Sequence, residues 1–235
     1  MKSAFDKAAS AHHAWHLNDD AQNLAAHTLM DAAADRVTAG YLALLHGVLG
    51  WRNGAGAALD LGAGAGHMTR AFRRAGIDMT AAEHSEEGIA LLRRHNPGMP
   101  VRQADMTQFS EMAGYCLILA REVYPVTRVN AFTEQHAMIG RLIDSLVSGG
   151  VLLVAGSDTC KPHCMDYAGM VRAFSADARV GRAAGPFIEP LVSKMPALMR
   201  SPLACAMAHT AAAPLVAWKR HQGWPATQVI AFVRA

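Results

Sequence analysis

Three acids in this chain, Asp60, Glu83 and Asp105, are placed where side chains can do chemistry on a ligand. Each ends a short apolar run, and the first run turns straight into glycines: residues 57–72 read AALDLGAGAGHMTRAF, with Gly62, Gly64 and Gly66 alternating. An apolar run, a glycine-rich turn and a helix start let backbone N–H groups approach a nucleotide-like ligand with no side chain in the way. Glu83 follows Gly62 by about twenty residues, the offset at which a carboxylate can accept hydrogen bonds from both hydroxyls of a ribose. A dinucleotide fingerprint would need a small residue three places after Gly64, and that place holds His67. The ligand expected here is therefore a nucleoside derivative other than NAD.

The elements that must position these acids alternate as in a parallel α/β sheet. Residues 78–83 (DMTAAE) make a second strand, and Ser85 is a candidate N-cap before Glu86 and Glu87, for a helix reaching His95 and the Asn96–Pro97–Gly98 turn. Residues 101–104 give a third strand ending at Asp105, and 115–120 (YCLILA) a buried fourth. The spacing of Ile139, Leu142, Ile143 and Leu146 predicts an amphipathic helix over 130–148, closed by Gly149–Gly150 before a fifth strand, VLLVAG. The runs 215–219 and 229–233 read as two final strands. Their short connection leaves no room for a crossover helix, so they are expected to be antiparallel. Three acids at the carboxyl ends of successive strands lie where open α/β sheets bind ligands.

The D-x-G-x-G-x-G form of residues 60–66 resembles the first motif of class I S-adenosylmethionine (SAM) dependent methyltransferases of the small-molecule type. The resemblance covers roughly 57–156 and the last twenty or so residues. It implies a Rossmann-like, doubly wound, mostly parallel seven-stranded sheet with an antiparallel C-terminal hairpin. In a single domain, residues 1–50 would form an N-terminal helical cap, 51–156 the SAM-binding core, 157–213 a helical lid insertion and 214–235 the hairpin. It also implies a cofactor set. Asp60 orients the turn near the SAM ammonium, Gly62, Ala63 and Gly64 pass beneath the methionyl and ribose parts, and Glu83 with His84 takes the ribose. Asp105 receives the adenine amino group, Met106 adds apolar contact, and Ala120 ends the fourth strand. The family usually begins that strand with an acid, where this chain has Cys116.

The acceptor side is expected after the fourth strand, at Arg121, Glu122 and Tyr124. Glu122 can take a proton or anchor an amine, and Tyr124 can offer its ring to a sulfonium methyl. Against these roles stand an ion pair of Glu122 with Arg121 or Arg128 and a loop-core place for Tyr124. His136 is a candidate general base, and Trp15 and Tyr167 are candidate substrate contacts from the cap and the insertion. The Asn/Asp-Pro-Pro-Tyr motif of amino methyltransferases is absent. No metal is expected: His12 and His16 lack a third ligand, and Cys160, His163 and Cys164 lack a second half-site.

Bulk properties narrow the class further. A hydrophobic content of 51%, a charged content of 17% and a net charge of +3 suit one compact domain without a nucleic-acid groove. Arg70, Arg73 and Arg74 read as a solvated helix face. No signal peptide, membrane span or disulfide framework is recognisable, so the expected compartment is the cytoplasm. The resulting expectation is methyl transfer from SAM, leaving S-adenosylhomocysteine, to an O, N or C nucleophile of a small molecule, in specialised metabolism. Two other functions fit the same residues: cyclisation or lysis of SAM that releases methylthioadenosine, and SAM binding without turnover. Monomer and homodimer both remain open.

Overall fold

The computed structural model describes residues 21–53, 56–104, 113–123, 126–127, 131–157, 165–222, 224 and 226–235, with side chains from residue 28 onward. A long helix α1 (Ala21–Gly47) precedes β1 (Ala57–Leu61), α2 (His67–Arg74), β2 (Met79–Glu83), α3 (Glu86–His95), β3 (Val101–Gln103) and β4 (Tyr115–Arg121). There follow α4 (Phe132–Asp144), β5 (Leu146–Ser157), α5 (Tyr167–Ser175), β6 (Val180–Ile188), α6 (Glu189–Lys194), α7 (Pro202–His221) and β7 (Thr227–Arg234). The strands form one sheet in the order β3-β2-β1-β4-β5-β7-β6. Its pairings are parallel except those of β7, which runs antiparallel to both β5 and β6. This is the Rossmann-like, mostly parallel sheet expected from the resemblance.

The central strands are apolar throughout because both faces are covered. Successive side chains of β4 alternate: Ile118 and Ala120 join a core with α4 and α5, while Leu117 and Leu119 join a core with α1 and α2. Helix α3 starts where the sequence predicts, with Ser85 Oγ accepting the Gly88 N–H at 3.0 Å.

Two expectations fail at the C-terminal half. The run 215–219 is not a strand but the end of α7, and the sixth strand is Val180–Ile188, inside the segment assigned to a helical lid. Residues 202–221 start with a Ser201 cap and Pro202 in the first turn, and are rich in alanine, the best helix former, so local preference favours helix. The sequence of β6, VGRAAGPFI, has weak strand preference, and its pairing with β7 at the sheet edge supplies what propensity does not. The connection between the last two strands thus carries helices α6 and α7, and no hairpin turn closes them. Helix α4 also ends at Asp144, not 148, and Gly149 and Gly150 lie within β5. Leu146, 1% exposed, already pairs with Tyr115 on β4, so the chain has left the helix to reach the sheet.

Candidate active site

The carboxyl edge of β1 and β2 is built from bonds between β1, α2, β2 and the residues that join them. Asp60 is 3% exposed and accepts a 2.6 Å hydrogen bond from Thr69 Oγ1, which ties the strand end to α2. Burial pushes its carboxyl up to about 6, against the opposing pull of Thr69 and of the Arg121 charge. The N–H groups of Gly62 and Ala63 both donate to Ala82 O, at 2.9 and 3.0 Å, and staple the turn to β2. Gly62 has φ 70, and a Cβ there would lie 2.0 Å from Val123 Cγ2. Gly64 has φ 56 and nothing within 4 Å of such a Cβ, so its exposed side is open.

Glu83 stands against this open turn. Its carboxylate accepts N–H groups from Gly64 (3.4 Å), His84 (2.8 Å) and Ser85 (3.4 Å). A carboxylate has about four acceptor positions, which leaves capacity for a ligand hydroxyl. His84 is exposed and contributes its backbone N–H. The Ala104 N–H donates to Glu83 O at 3.0 Å, which draws the end of β3 to the same edge. Asp105, Met106, Tyr124 and Trp15 lie outside the described residues, as do His12, His16, Arg128, Cys160, His163 and Cys164. Ala120 is fully buried between Leu61 and Val154 and serves as sheet floor.

The corner after β4 is held differently. Arg121, expected to meet substrate, instead forms a two-pronged pair with Glu189: Nε to Oε1 at 3.0 Å and Nη2 to Oε2 at 2.9 Å. Tyr41 Oη donates to the same carboxylate, and Tyr41 and Glu189 are buried. The pairing raises the Arg121 pKa further above its usual range despite burial, and burial together with the Glu189 charge raises Tyr41 well above its own. Arg121 is turned toward α1 and α6, where the buried Glu189 carboxylate meets it in a two-pronged pair and offsets its charge. Glu122 stays at the edge with φ 54, a left-handed conformation unusual for a residue with a side chain, and its N–H donates to Ala155 O at 2.8 Å.

His136 is brought elsewhere. Its ring stacks on Phe174, centroids 4.3 Å apart at 12°, in the contact between α4 and α5. Phe174 lies seven residues beyond Tyr167 along α5, roughly 10 Å down the helix from the strand-end edge. Aromatic packing explains His136 better than proton transfer does. Tyr167 is buried, with its hydroxyl against Gly156, where a Cβ would come within 2.4 Å. Tyr167 nevertheless lines a cavity of about 430 Å³ at the carboxyl ends of β5 and β6, together with Asp166, Pro186, Val216, Arg220 and Gln228.

Several site residues carry no obvious signal in the sequence. Thr69, Tyr41 and Glu189 are among them, since each is defined by its partner. The clasp of α1 on α2 was more accessible. Asp31 and Asp35 sit one turn apart, as do Arg70 and Arg74, and the two rows pair at 2.6 and 2.5 Å. His67 Nδ1 lies 2.8 Å from Asp31 as well. Burial alone would raise the Asp31 carboxyl, but hydrogen bonds from His67 and Arg70 hold it below the usual range. The arginines read as a solvated face are therefore ion-paired, with Arg73 on Asp78. No helix among the described residues is long and apolar enough to cross a membrane.

No family model matches the sequence, and no curated protein does. Solved structures do resemble it. Streptomyces venezuelae DesVI is 22% identical with a TM-score of 0.45, over 58% of this chain and 57% of that one. SAM-bound CalS10, an amino pentose methyltransferase from Micromonospora echinaspora involved in calicheamicin biosynthesis, is 21% identical with a TM-score of 0.39, over 66% and 56%. The CcbJ methyltransferase from Streptomyces caelestis is 20% identical with a TM-score of 0.41, over 53% and 51%. The chain thus spans a little over half the length of these proteins. Likeness at this level says nothing of the substrate.

Proposed function

We propose that the chain binds SAM at the carboxyl edge of β1, β2 and β4 and transfers its methyl group to a small-molecule acceptor. The observation that carries this reading is the juxtaposition of Gly64 and Glu83. The turn is open where a side chain would stand, and the carboxylate beside it has acceptor capacity left. A nucleoside with two ribose hydroxyls fits that pair of features. Asp60, ionised above about pH 6, supplies negative charge beneath the turn for an ammonium group.

Bound SAM would supply an already activated methyl on a sulfonium sulfur, so the protein's part is alignment and exclusion of water. Glu122, held at the edge by its strained backbone and by Ala155, is the described residue best placed to meet the acceptor. It can receive a proton from the attacking nucleophile or hold an amine in line. The cavity beside Tyr167 and Gln228 lies on the same edge, two strands beyond β4, and suits the far end of an acceptor. Alanine, methionine, proline and valine walls with four polar groups describe a small organic molecule of mixed polarity.

The test is incubation of the purified protein with SAM alone, followed by mass spectrometry of the nucleosides. Retained, intact SAM is the expected result. Methylthioadenosine above the enzyme-free blank would replace methyl transfer with cyclisation or lysis. Absence of any bound SAM would remove the proposal altogether.

A further inference from the structure

We propose that the Tyr41–Glu189–Arg121 cluster is a positioning device that sets the corner after β4 against the glycine turn; its consequence for SAM rests on the function proposed above. The cluster joins α1, α6 and β4 with a two-pronged pair at 3.0 and 2.9 Å and a third bond from Tyr41. Glu189 is 5% exposed and Tyr41 is not exposed at all. Buried ion pairs are poor sources of stability, because desolvation consumes most of their attraction and apolar replacements of similar volume often do as well. Stability alone is therefore a weak reason for this cluster.

What the cluster fixes is the start of a short mechanical chain. Arg121 is followed by Glu122, whose left-handed backbone donates to Ala155 O. Val123 comes next, and its Cγ2 occupies the space that Gly62 leaves by having no Cβ. Moving Arg121 moves Val123, and Val123 is the wall against which the turn rests. The guanidinium also acts on the Asp60 carboxyl through its charge. Helix α1 closes the loop of contacts from the other side. Tyr41 holds the β4 corner through Glu189, and Asp31, ten residues or roughly 15 Å earlier on the same helix, holds His67 and Arg70 on α2. One helix thus braces both walls of the cleft.

The test is the triple variant Tyr41→Phe/Arg121→Met/Glu189→Met, which removes all three polar groups together and orphans none. Its thermal midpoint should stay within a few degrees of wild type, while SAM affinity by calorimetry falls about tenfold. Hydrogen exchange at the Gly62 and Ala63 amides should quicken at least tenfold, with Leu153 on β5 keeping its protection. Wild-type SAM affinity and unchanged exchange at the turn would overturn the proposal and leave the cluster purely structural. Tyr41→Phe alone covers the case in which the triple variant does not fold. It keeps the ion pair, and it should quicken turn exchange and weaken SAM about threefold; no change in either would equally overturn the claim. Should wild-type protein fail to bind SAM, the functional proposal falls, and the exchange data still decide whether the cluster positions the turn.

Discussion

The glycine turn and the corner after β4 lie side by side on one edge of the sheet, yet they are held by opposite means. At the turn, Thr69 reaches Asp60 from nine residues away, Glu83 takes the N–H groups of His84 and Ser85, and the bonds from Gly62 to Ala82 and from Gly64 to Glu83 stay within one β1–α2–β2 unit. At the corner, Arg121 meets a carboxylate 68 residues away, which in turn meets Tyr41 from 148 residues away. Local bonds recur wherever the local sequence recurs, so the turn carries a motif. Distant bonds depend on how α1 and α6 dock, so the corner has no motif.

The comparison can be broken most forcefully at the point where the two regions touch. Gly62→Ala places a Cβ against Val123 at φ 70, combining a left-handed penalty with overpacking. A loss of about 3 to 4 kcal/mol in urea unfolding is expected, and a loss below about 1 kcal/mol would mean the two walls are not in contact. The next largest effect belongs to the turn side and depends on pH. The Asp60 carboxyl is raised in the folded protein from 3.8 to about 6, so the fold binds its proton more tightly than the unfolded chain does. That contribution is fully present below about pH 4 and is lost as pH rises through about 6. Between pH 3 and 7 the stability of wild type relative to Asp60→Asn should therefore fall by about 3 kcal/mol. SAM affinity should rise over the same interval in wild type only. A stability gap that is flat with pH would contradict the burial of this charge.

The corner is sharpened by Glu189→Gln, which leaves Arg121 short of its counter-charge. Because the Arg121 side chain is 30% exposed, water recovers part of the loss, and about 2 kcal/mol is expected in chemical unfolding. Ser85→Ala, which removes the N-cap of α3 beside Glu83, should cost about 1 kcal/mol in the same measurement. Arg74→Gln breaks a pair whose two side chains are each about half exposed. It should change stability by less than about 0.5 kcal/mol, and a larger effect would make the clasp on α1 more than a surface contact.

Legibility followed the same division. The first five strands, the Ser85 cap and the glycine turn could be read because glycines, caps and apolar runs act within a few residues. The sixth strand was misread because Val180–Ile188 carries two glycines and a proline, and becomes a strand only by pairing with β7. The run 215–219 misled in the other direction, since its apolar residues belong to a helix whose start lies thirteen residues earlier, at Pro202. Arg121 sits where its sequence position suggests, at the end of β4. Its partner Glu189 opens α6 after the misread strand, so the side chain's direction was hidden. His136 lies in the helix read there, and its stacking on Phe174 was hidden because it requires knowing that α5 packs beside α4.

The most direct test of the central claim is a calorimetric titration of SAM into wild-type protein and into Glu83→Ala. Saturable binding by wild type, weakened at least tenfold in the variant, a difference of about 1.4 kcal/mol, is the predicted result. Equal affinity in the two proteins, or no binding by either, would contradict the assignment of this edge to SAM.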